Sequence, residues 1–180
     1  MKDVQMTAGE AIFSRRSIRK FSDRSVSEDT VEVLLRAAMA APNTVNNRDW
    51  AFVVVRDRDI LAKLKENHIG NASMLDSAQL AIVVCGDLSL AYAKYPDFWI
   101  QDCSAAAENL IIMANALGIG TCWLGTYPVE KIYRADQATL GLPEELVPMA
   151  VIAAGYPAED PDVRYRYEPG KVFYDRYTRE

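Results

Sequence analysis

The chain has 180 residues, half of them hydrophobic, and its 20 lysines and arginines against 25 aspartates and glutamates give a formal net charge of −5 at pH 7. This acidic balance argues against nucleic acid as a partner. No apolar run approaches the roughly 20 residues of a membrane-spanning helix, and Met1–Glu10 lacks the basic and apolar regions of a signal peptide. We therefore expect one domain over residues 1–180 of a cytoplasmic protein with no membrane partner.

Helix signals begin near the N-terminus. Thr7 and Glu10 form a capping box for a short helix, with Ala11, Ile12 and Phe13 as its expected buried side. A second helix is predicted from the cap residue Ser27 until Pro42, because Val26 and Val31 occupy the two positions of a hydrophobic staple. Two further helices are predicted over Asp59–Glu66 and from Val129 to about Ala135.

Four short apolar runs are predicted strands: Ala51–Val55, Leu80–Cys85, Thr121–Leu124 and Val147–Ala154. Runs without polar alternation are typical of strands covered on both faces, which favours layered helices and sheet. The runs alone do not determine whether the strands pair in parallel or antiparallel fashion. The tail, Tyr156–Glu180, has little periodicity and is predicted to be an extended arm.

The longest predicted helix is Ile100–Leu117, with Gly118 as its stop. It is poor in charge and apolar on more than one face, so it must be covered nearly all round. Its small residues permit close backbone approach. Both a central helix within one chain and a helix shared across a subunit interface fit this pattern.

Cysteine and histidine content limits the catalytic chemistry. Cys85, Cys103 and Cys122 are odd in number, far apart and set in apolar or small-residue sequence, which favours reduced buried thiols over a disulfide or a zinc site. We expect no metal. His68 is the single histidine and lies in a polar stretch, so we expect an ordinary loop residue rather than a member of a catalytic triad.

The segment Arg15–Lys20 places four cations and a hydroxyl directly after the first helix. Arg164 and Arg166 lie two apart near the C-terminus, a spacing that puts both guanidinium groups on one side of an extended segment. Because arginine matches phosphate oxygens two at a time, both features fit a phosphate ligand. A solvent-exposed charged surface is the alternative interpretation.

Two other motifs are weaker by themselves. The loop APNTVNNRDW, 41–50, is crowded with amide and hydroxyl groups, which serve either turn formation or ligand binding. The run GIGTCWLG, 118–125, has glycines that let the backbone approach a ligand, but it lacks the lysine and hydroxyl residue of a P-loop. No dinucleotide fingerprint is present in the sequence.

Together and in this order, RRSIRKF, APNTVNNRDW, GIGTCWLG and GYPAEDPDVRYR followed by KVFYDRY resemble the nitroreductase family of FMN-dependent oxidoreductases. The resemblance spans about Ala11 to Tyr177. It implies an α+β fold, with a mainly antiparallel central sheet surrounded by helices, in an intertwined homodimer that has two FMN sites at its interface. It also favours the shared-helix interpretation of Ile100–Leu117.

The resemblance implies roles for individual residues. Arg15 matches the arginine on the FMN phosphate, Ser17 the hydroxyl near the ribityl chain and phosphate, and Arg19 the cation near N1 and O2 of the flavin. Arg16 lies between them and is expected to contribute through backbone or ribityl contacts. The remaining matches are the loop that reaches the flavin of the other subunit (Pro42, Asn43, Thr44, Asn46), the backbone near N5 and O4 (Leu124, Gly125), and the basic pair on the phosphate (Arg164, Arg166).

The chain departs from the family pattern in the loop before Trp50. Asn43 stands where serine is common, and Arg48 and Asp49 replace a frequent Gln-Pro pair. We expect these changes to affect substrate choice more than FMN binding. Four aromatic residues before the long helix are candidates either for the substrate pocket or for plain packing: Tyr92, Tyr95, Phe98 and Trp99.

The resemblance therefore implies an enzyme that passes electrons from NADH or NADPH, through flavin N5, to a flat acceptor such as a nitroaromatic or a quinone, in ping-pong order. Arg19 would support negative charge on the reduced flavin, and no side-chain nucleophile is required. Two alternatives remain: a flavin carrier or FMN-consuming protein without nitroreductase turnover, and a phosphate-binding module without flavin.

Overall fold

The computed structural model describes residues 6–68, 70, 72–162 and 166–178. Within these ranges the chain forms five α-helices and four β-strands. The helices are α1 (Ala8–Ser14), α2 (Glu28–Met39), α3 (Arg58–Asn67), α4 (Trp99–Ala116) and α5 (Glu130–Leu140). The strands are β1 (Trp50–Val55), β2 (Leu80–Asp87), β3 (Gly120–Gly125) and β4 (Leu146–Gly155). No helix in the described ranges combines the length and apolar character needed to cross a bilayer.

The strands form one sheet in the order β1-β2-β4-β3, and every neighbouring pair is antiparallel. The central strands β2 and β4 are joined from Leu80↔Ala154 to Asp87↔Leu146, with one irregularity between Val84 and Cys85. The predicted α+β class with an antiparallel sheet is therefore confirmed. β3 lies at one edge of the sheet, where its outer backbone groups need partners from outside the four strands.

Helices cover both faces of the sheet, as the apolar strand runs predicted. Alternate residues of β2 divide between two cores because successive strand side chains point to opposite faces. Leu80, Ile82 and Val84 pack in a core that also holds residues of α2 and α4. Ala81, Val83 and Cys85 pack in a second core with Leu61 and Leu64 of α3.

The helix starts predicted at Thr7 and Ser27 are confirmed. Thr7 Oγ1 accepts a hydrogen bond from Glu10 N at 3.2 Å, and Glu10 Oε2 accepts one from Thr7 N at 2.7 Å, which completes the capping box. Ser27 Oγ accepts from Thr30 N at 3.3 Å at the start of α2. The expected burial of Ile12 and Phe13 is wrong, because their side chains are 50% and 75% exposed.

The predicted end of α5 near Ala135 is also wrong, since the helix continues to Leu140. Its terminator is Gly141, whose φ of 65° is a left-handed conformation that glycine adopts without steric cost. All three cysteines are free and buried, as expected from their apolar surroundings. Burial raises the pKa of the Cys85 thiol to about 12, so this cysteine has little thiolate character near neutral pH.

Candidate functional site

The basic segment that follows α1 lies along the outer edge of β3. Ser17 forms a parallel bridge with Thr121, and Ile18 N donates a hydrogen bond to Thr121 O at 2.9 Å. On the other side of the segment, Ala158 N donates to Lys20 O at 2.9 Å. The segment is therefore fixed between the sheet edge and the start of the C-terminal tail, and its cations project from an anchored backbone.

A cleft of about 780 Å³ opens beside this segment, within the usual size range of small-molecule sites. Its described lining brings together four guanidinium groups, those of Arg15, Arg16, Arg19 and Arg166, and the hydroxyl groups of Ser17 and Tyr167. The structure thus gathers residues that are far apart in the sequence but were predicted to share a ligand. Arg164 lies outside the described residues.

The guanidinium of Arg16 is held mainly by backbone oxygens. Its Nε donates to Asp162 O at 3.0 Å and its Nη1 donates to Phe13 O at 3.0 Å. Its Nη2 is buried and has no hydrogen-bond partner among the described residues. A buried donor without an acceptor is costly, so an anion in the cleft would meet an unsatisfied N–H group.

Arg15 is also weakly engaged. Its Nε lies 3.9 Å from Glu108 Oε1, at the long end of the ion-pair range, and more than half of the Glu108 side chain is exposed. Exposed pairs of this kind contribute little to stability. The Arg15 guanidinium is therefore available to a stronger anion such as a phosphate.

A second cleft of about 430 Å³ adjoins the first through Arg19, which lines both. Its described lining is Arg19, His68, Met74, Cys122, Trp123, Leu124, Gly125 and Ile132. Apart from Gly125 and its two chain neighbours, no described residue has a heavy atom within 4 Å of the position that a Cβ on Gly125 would occupy. The predicted Leu124–Gly125 backbone therefore borders open space beside the cationic cleft.

The loop residues Pro42, Asn43, Thr44 and Asn46 line neither cleft of their own chain. The loop is tied to the start of α4, because Asp102 accepts hydrogen bonds from Thr44 N at 2.9 Å and from Thr44 Oγ1 at 3.2 Å. Val45 has a φ of 44°, which is rare for a β-branched residue, and its side chain is 66% exposed. The loop thus presents a strained, partly apolar tip to its surroundings.

The aromatic group before α4 does not line either cleft in the described chain. The rings of Tyr95 and Phe98 stack at a centroid distance of 5.2 Å near the surface. Trp99 is buried and meets Tyr127 edge to face at 4.9 Å. Packing therefore accounts for Trp99, whereas the pocket role of Tyr92, Tyr95 and Phe98 stays a prediction.

The sequence analysis missed a buried pair at the second cleft. His68 is 5% exposed and lies at the end of α3, where its Nε2 is 2.9 Å from Asp136 Oδ2. The expectation of an ordinary loop residue was therefore wrong about its surroundings. Asp136 escaped notice because the predicted α5 ended near Ala135, whereas the observed helix continues to Leu140 and is capped by Gly141.

Asp49 is a second missed residue, although its identity was recognised as unusual. Its side chain is fully buried, and neither carboxylate oxygen has a hydrogen-bond partner among the described residues. Burial, followed by the nearby negative charge of Asp102, raises the pKa of Asp49 to about 6. A proton on Asp49 would also supply a donor for the neighbouring Asp102 carboxylate, which favours the protonated form further.

The fold and the paired clefts define an α+β protein in which four arginines line one cleft. The family model described as the nitroreductase family matches residues 12–72 and 65–156. A protein from Methanothermobacter thermautotrophicus, named "Putative NADH dehydrogenase/NAD(P)H nitroreductase", is 42% identical over 98% of this chain and 91% of its own. An Archaeoglobus fulgidus protein of the same name is 44% identical over 92% of this chain and 96% of its own.

A solved structure gives the same answer for the fold. The FMN-dependent nitroreductase from Clostridium difficile R20291 is 28% identical to this chain and has a TM-score of 0.86. The match covers 93% of this chain and 98% of that one. The chain therefore belongs to the nitroreductase family, and the resemblance inferred from its motifs is confirmed.

Replacement of Asp49 tests the buried carboxylate. Because the folded pKa of about 6 lies above the ordinary value of 3.8, this residue favours folding at low pH, and that contribution is lost as the pH rises through about 6. We compare the free energy of unfolding of Asp49→Asn with that of the unsubstituted protein at each pH. We predict that this difference shifts in favour of Asp49→Asn by about 2 kcal/mol as the pH rises from about 4.5 to about 8. Urea unfolding across this range measures the gain.

The exposed Asp23, replaced by asparagine, is the matched control and is expected to show no such trend. A stability difference between Asp49→Asn and the unsubstituted protein that stays constant over the whole range would contradict the assignment.

Proposed function

We propose that this chain is an FMN-dependent oxidoreductase that takes electrons from NADH or NADPH and passes them to a flat acceptor such as a nitroaromatic or a quinone. The observation that carries the proposal is the cluster of four arginines and Ser17 in a cleft that adjoins the open backbone at Leu124–Gly125. A cofactor with a phosphate at one end and a planar ring at the other matches both parts. The name of the C. difficile relative supports this class of enzyme.

The residues present fit the phosphate end of FMN. The unsatisfied Nη2 of Arg16 and the weakly paired Arg15 offer N–H donors, and Arg166 faces the same cleft. Arginine forks bind phosphate oxygens two at a time, and Ser17 adds a hydroxyl donor. The cofactor is proposed to be FMN rather than FAD, because these cations line one cleft, which suits a single terminal phosphate, and no dinucleotide fingerprint is present in the sequence.

Bound FMN supplies the redox chemistry by accepting a hydride at N5 from the nicotinamide and giving it up to the acceptor. Arg19 lies where the two clefts join, which is suited to a cation that stabilises negative charge on the pyrimidine side of the reduced ring. Its backbone is fixed, since Arg19 N donates to Glu159 Oε1 at 2.5 Å.

Donor and acceptor are proposed to use the second cleft in turn. The open side of Gly125 leaves room for a planar molecule. The one small cleft bordering this backbone favours sequential occupation, and hence ping-pong kinetics, over simultaneous binding of two planar substrates. No side-chain nucleophile takes part in this scheme.

The identity of the released cofactor tests the proposal. Purified protein should carry a yellow chromophore that chromatographs as FMN after heat release, and NADH or NADPH should bleach it. A predominance of FAD contradicts the phosphate assignment. A colourless protein that takes up no FMN favours a phosphate-binding module, and a tightly flavinated protein that oxidises no reduced nicotinamide favours a flavin carrier or an FMN-consuming protein.

The phosphate contacts predict a selective loss of FMN affinity. Arg15→Ala should weaken FMN binding by about 1.5 to 3 kcal/mol, the range for hydrogen bonds to a charged group, which is about 10-fold to 150-fold in Kd. We predict the same loss for Arg164→Ala. Fluorescence titration with FMN and with riboflavin measures the effect, because riboflavin lacks the phosphate and should bind both variants as before.

Arg36→Ala is the matched control, since Arg36 lies outside both clefts in an exposed ion pair with Glu32 on α2. Equal weakening of FMN and riboflavin by Arg15→Ala would place this arginine away from the phosphate.

The chain is further proposed to work as a homodimer in which the loop 42–46 reaches the flavin of the partner. Three observations support this arrangement. The loop lines neither cleft of its own chain, its tip residue Val45 is exposed, and the exposed Ile12 and Phe13 form an apolar wall of the first cleft. Ser104 and Ala105 leave a partly exposed small-residue surface on α4.

Assembly and cofactor binding should therefore be coupled. A shared site predicts an obligate dimer with an interface of at least about 2,000 Å², and added FMN should make dissociation harder because it binds the dimer alone. Sedimentation across a dilution series with and without FMN measures this coupling. A flavin-saturated monomer at micromolar concentration would refute the shared site and the assignment of Asn43 and Asn46.

A further inference from the structure

The buried pair His68–Asp136 reaches the wall of the second cleft. His68 shares this cleft with Arg19, Leu124 and Gly125, beside which the reacting ring is proposed to lie. Asp136 is fully buried on α5 behind the histidine. The imidazole therefore connects a buried carboxylate to the space in which a substrate would react.

The hydrogen bonds fix the orientation of the ring. Asp136 Oδ1 accepts a hydrogen bond from Asn67 Nδ2 at 2.8 Å, and Asp136 Oδ2 lies 2.9 Å from His68 Nε2. A carboxylate that carries its negative charge can only accept, so in that state this bond requires the proton on Nε2. His68 Nδ1 has no hydrogen-bond partner among the residues that the structure describes. The inner edge of the ring is thus anchored, and within the described part of the chain Nδ1 is the nitrogen left for a molecule in the cleft.

The other described residues of this cleft are poor proton donors. The guanidinium of an arginine side chain does not give up a proton in proteins. Burial raises the pKa of the Cys122 thiol, which makes it a weaker acid. The remaining lining residues are Met74, Trp123, Leu124, Gly125 and Ile132, none of which exchanges a side-chain proton near neutral pH. Histidine is the side chain suited to this task.

We propose that His68, held by Asp136, donates a proton from Nδ1 to the electron acceptor as the acceptor is reduced. The proposal rests on the proposed oxidoreductase function and adds a catalytic residue to it. Asp136 is then a positioning residue, which holds the ring and stabilises the imidazolium without giving up its own negative charge.

The step balances for a quinone acceptor. With reduced FMN bound, the quinone would receive a hydride equivalent, two electrons and one proton, and its oxygen that retains negative charge would take the second proton. That proton passes from His68 Nδ1, so the N–H bond breaks as the new O–H bond forms. The product is a hydroquinone, and the neutral imidazole regains its proton from solvent.

His68→Gln separates proton donation from a purely structural role. The glutamine amide retains a donor for Asp136 but has no proton to give. The protein is reduced anaerobically with dithionite, which bypasses the nicotinamide step, and is mixed in a stopped-flow instrument with tetramethyl-p-benzoquinone or with ferricyanide, which accepts electrons one at a time and takes no proton. We expect quinone reduction to slow by about 100-fold or more, the usual contribution of a general acid, and ferricyanide reduction to be unaffected.

An unchanged quinone rate, or equal slowing with both acceptors, would overturn the proposal. A failure of the proposed function is distinguishable, because it would appear as absent FMN or as a flavin that NADH and NADPH do not reduce in the unsubstituted protein.

A second measurement needs no variant. His68 is the single histidine, so the ring nitrogens of ¹⁵N-histidine-labelled protein free of any tag give one assignable pair of NMR signals. We expect the neutral ring to carry its proton on Nε2, and tetramethyl-p-benzoquinone added to the oxidised protein to shift the Nδ1 signal. A neutral ring protonated on Nδ1, or an Nδ1 signal insensitive to saturating quinone, would contradict the proposal.

Discussion

The docking of the basic segment on the outer edge of β3 is the constraint on which the rest of the site depends. Ile18 packs so closely that a Cβ on Gly120 would lie 2.7 Å from its Cγ1, and a Cβ on Gly155 would lie 3.0 Å from Phe21. Side chains at these two glycines would push the segment off the sheet. The same contact covers an edge strand that would otherwise expose unpaired backbone groups, so one interaction protects the sheet and fixes the cations.

A contact between α4 and α1 also helps to hold the first cleft in place. Asn115 of α4 donates to Ala11 O at 2.9 Å and to Ser14 Oγ at 2.8 Å, which secures the end of α1 just before the first arginine.

Near the loop and the second cleft, the fold buries ionisable groups, Asp49 and His68, that an apolar core would not need. Local costs of this kind are typical of functional sites, where stability is given up for a specific arrangement.

The sequence predicted features that depend on local chemistry, and it missed those that depend on distant parts of the chain. The caps at Thr7 and Ser27 were predictable because a helix start needs a nearby acceptor. Strand pairing was not readable from apolar runs and came from the family resemblance. The exposure of Phe13 depends on whether another part of the chain packs over α1. The burial of Asp49 depends on the packing of α4. The His68–Asp136 pair joins residues that are 68 positions apart in the sequence, and no local sequence pattern predicts it.

A crystal structure of the protein with bound FMN would test whether the arginine-lined cleft holds the FMN phosphate. We expect the phosphate to lie within hydrogen-bond distance, about 3 Å, of Arg15, Ser17 and Arg166. We expect the ring to lie beside Leu124 and Gly125. A phosphate bound elsewhere, with these guanidinium groups turned to solvent, would contradict this expectation.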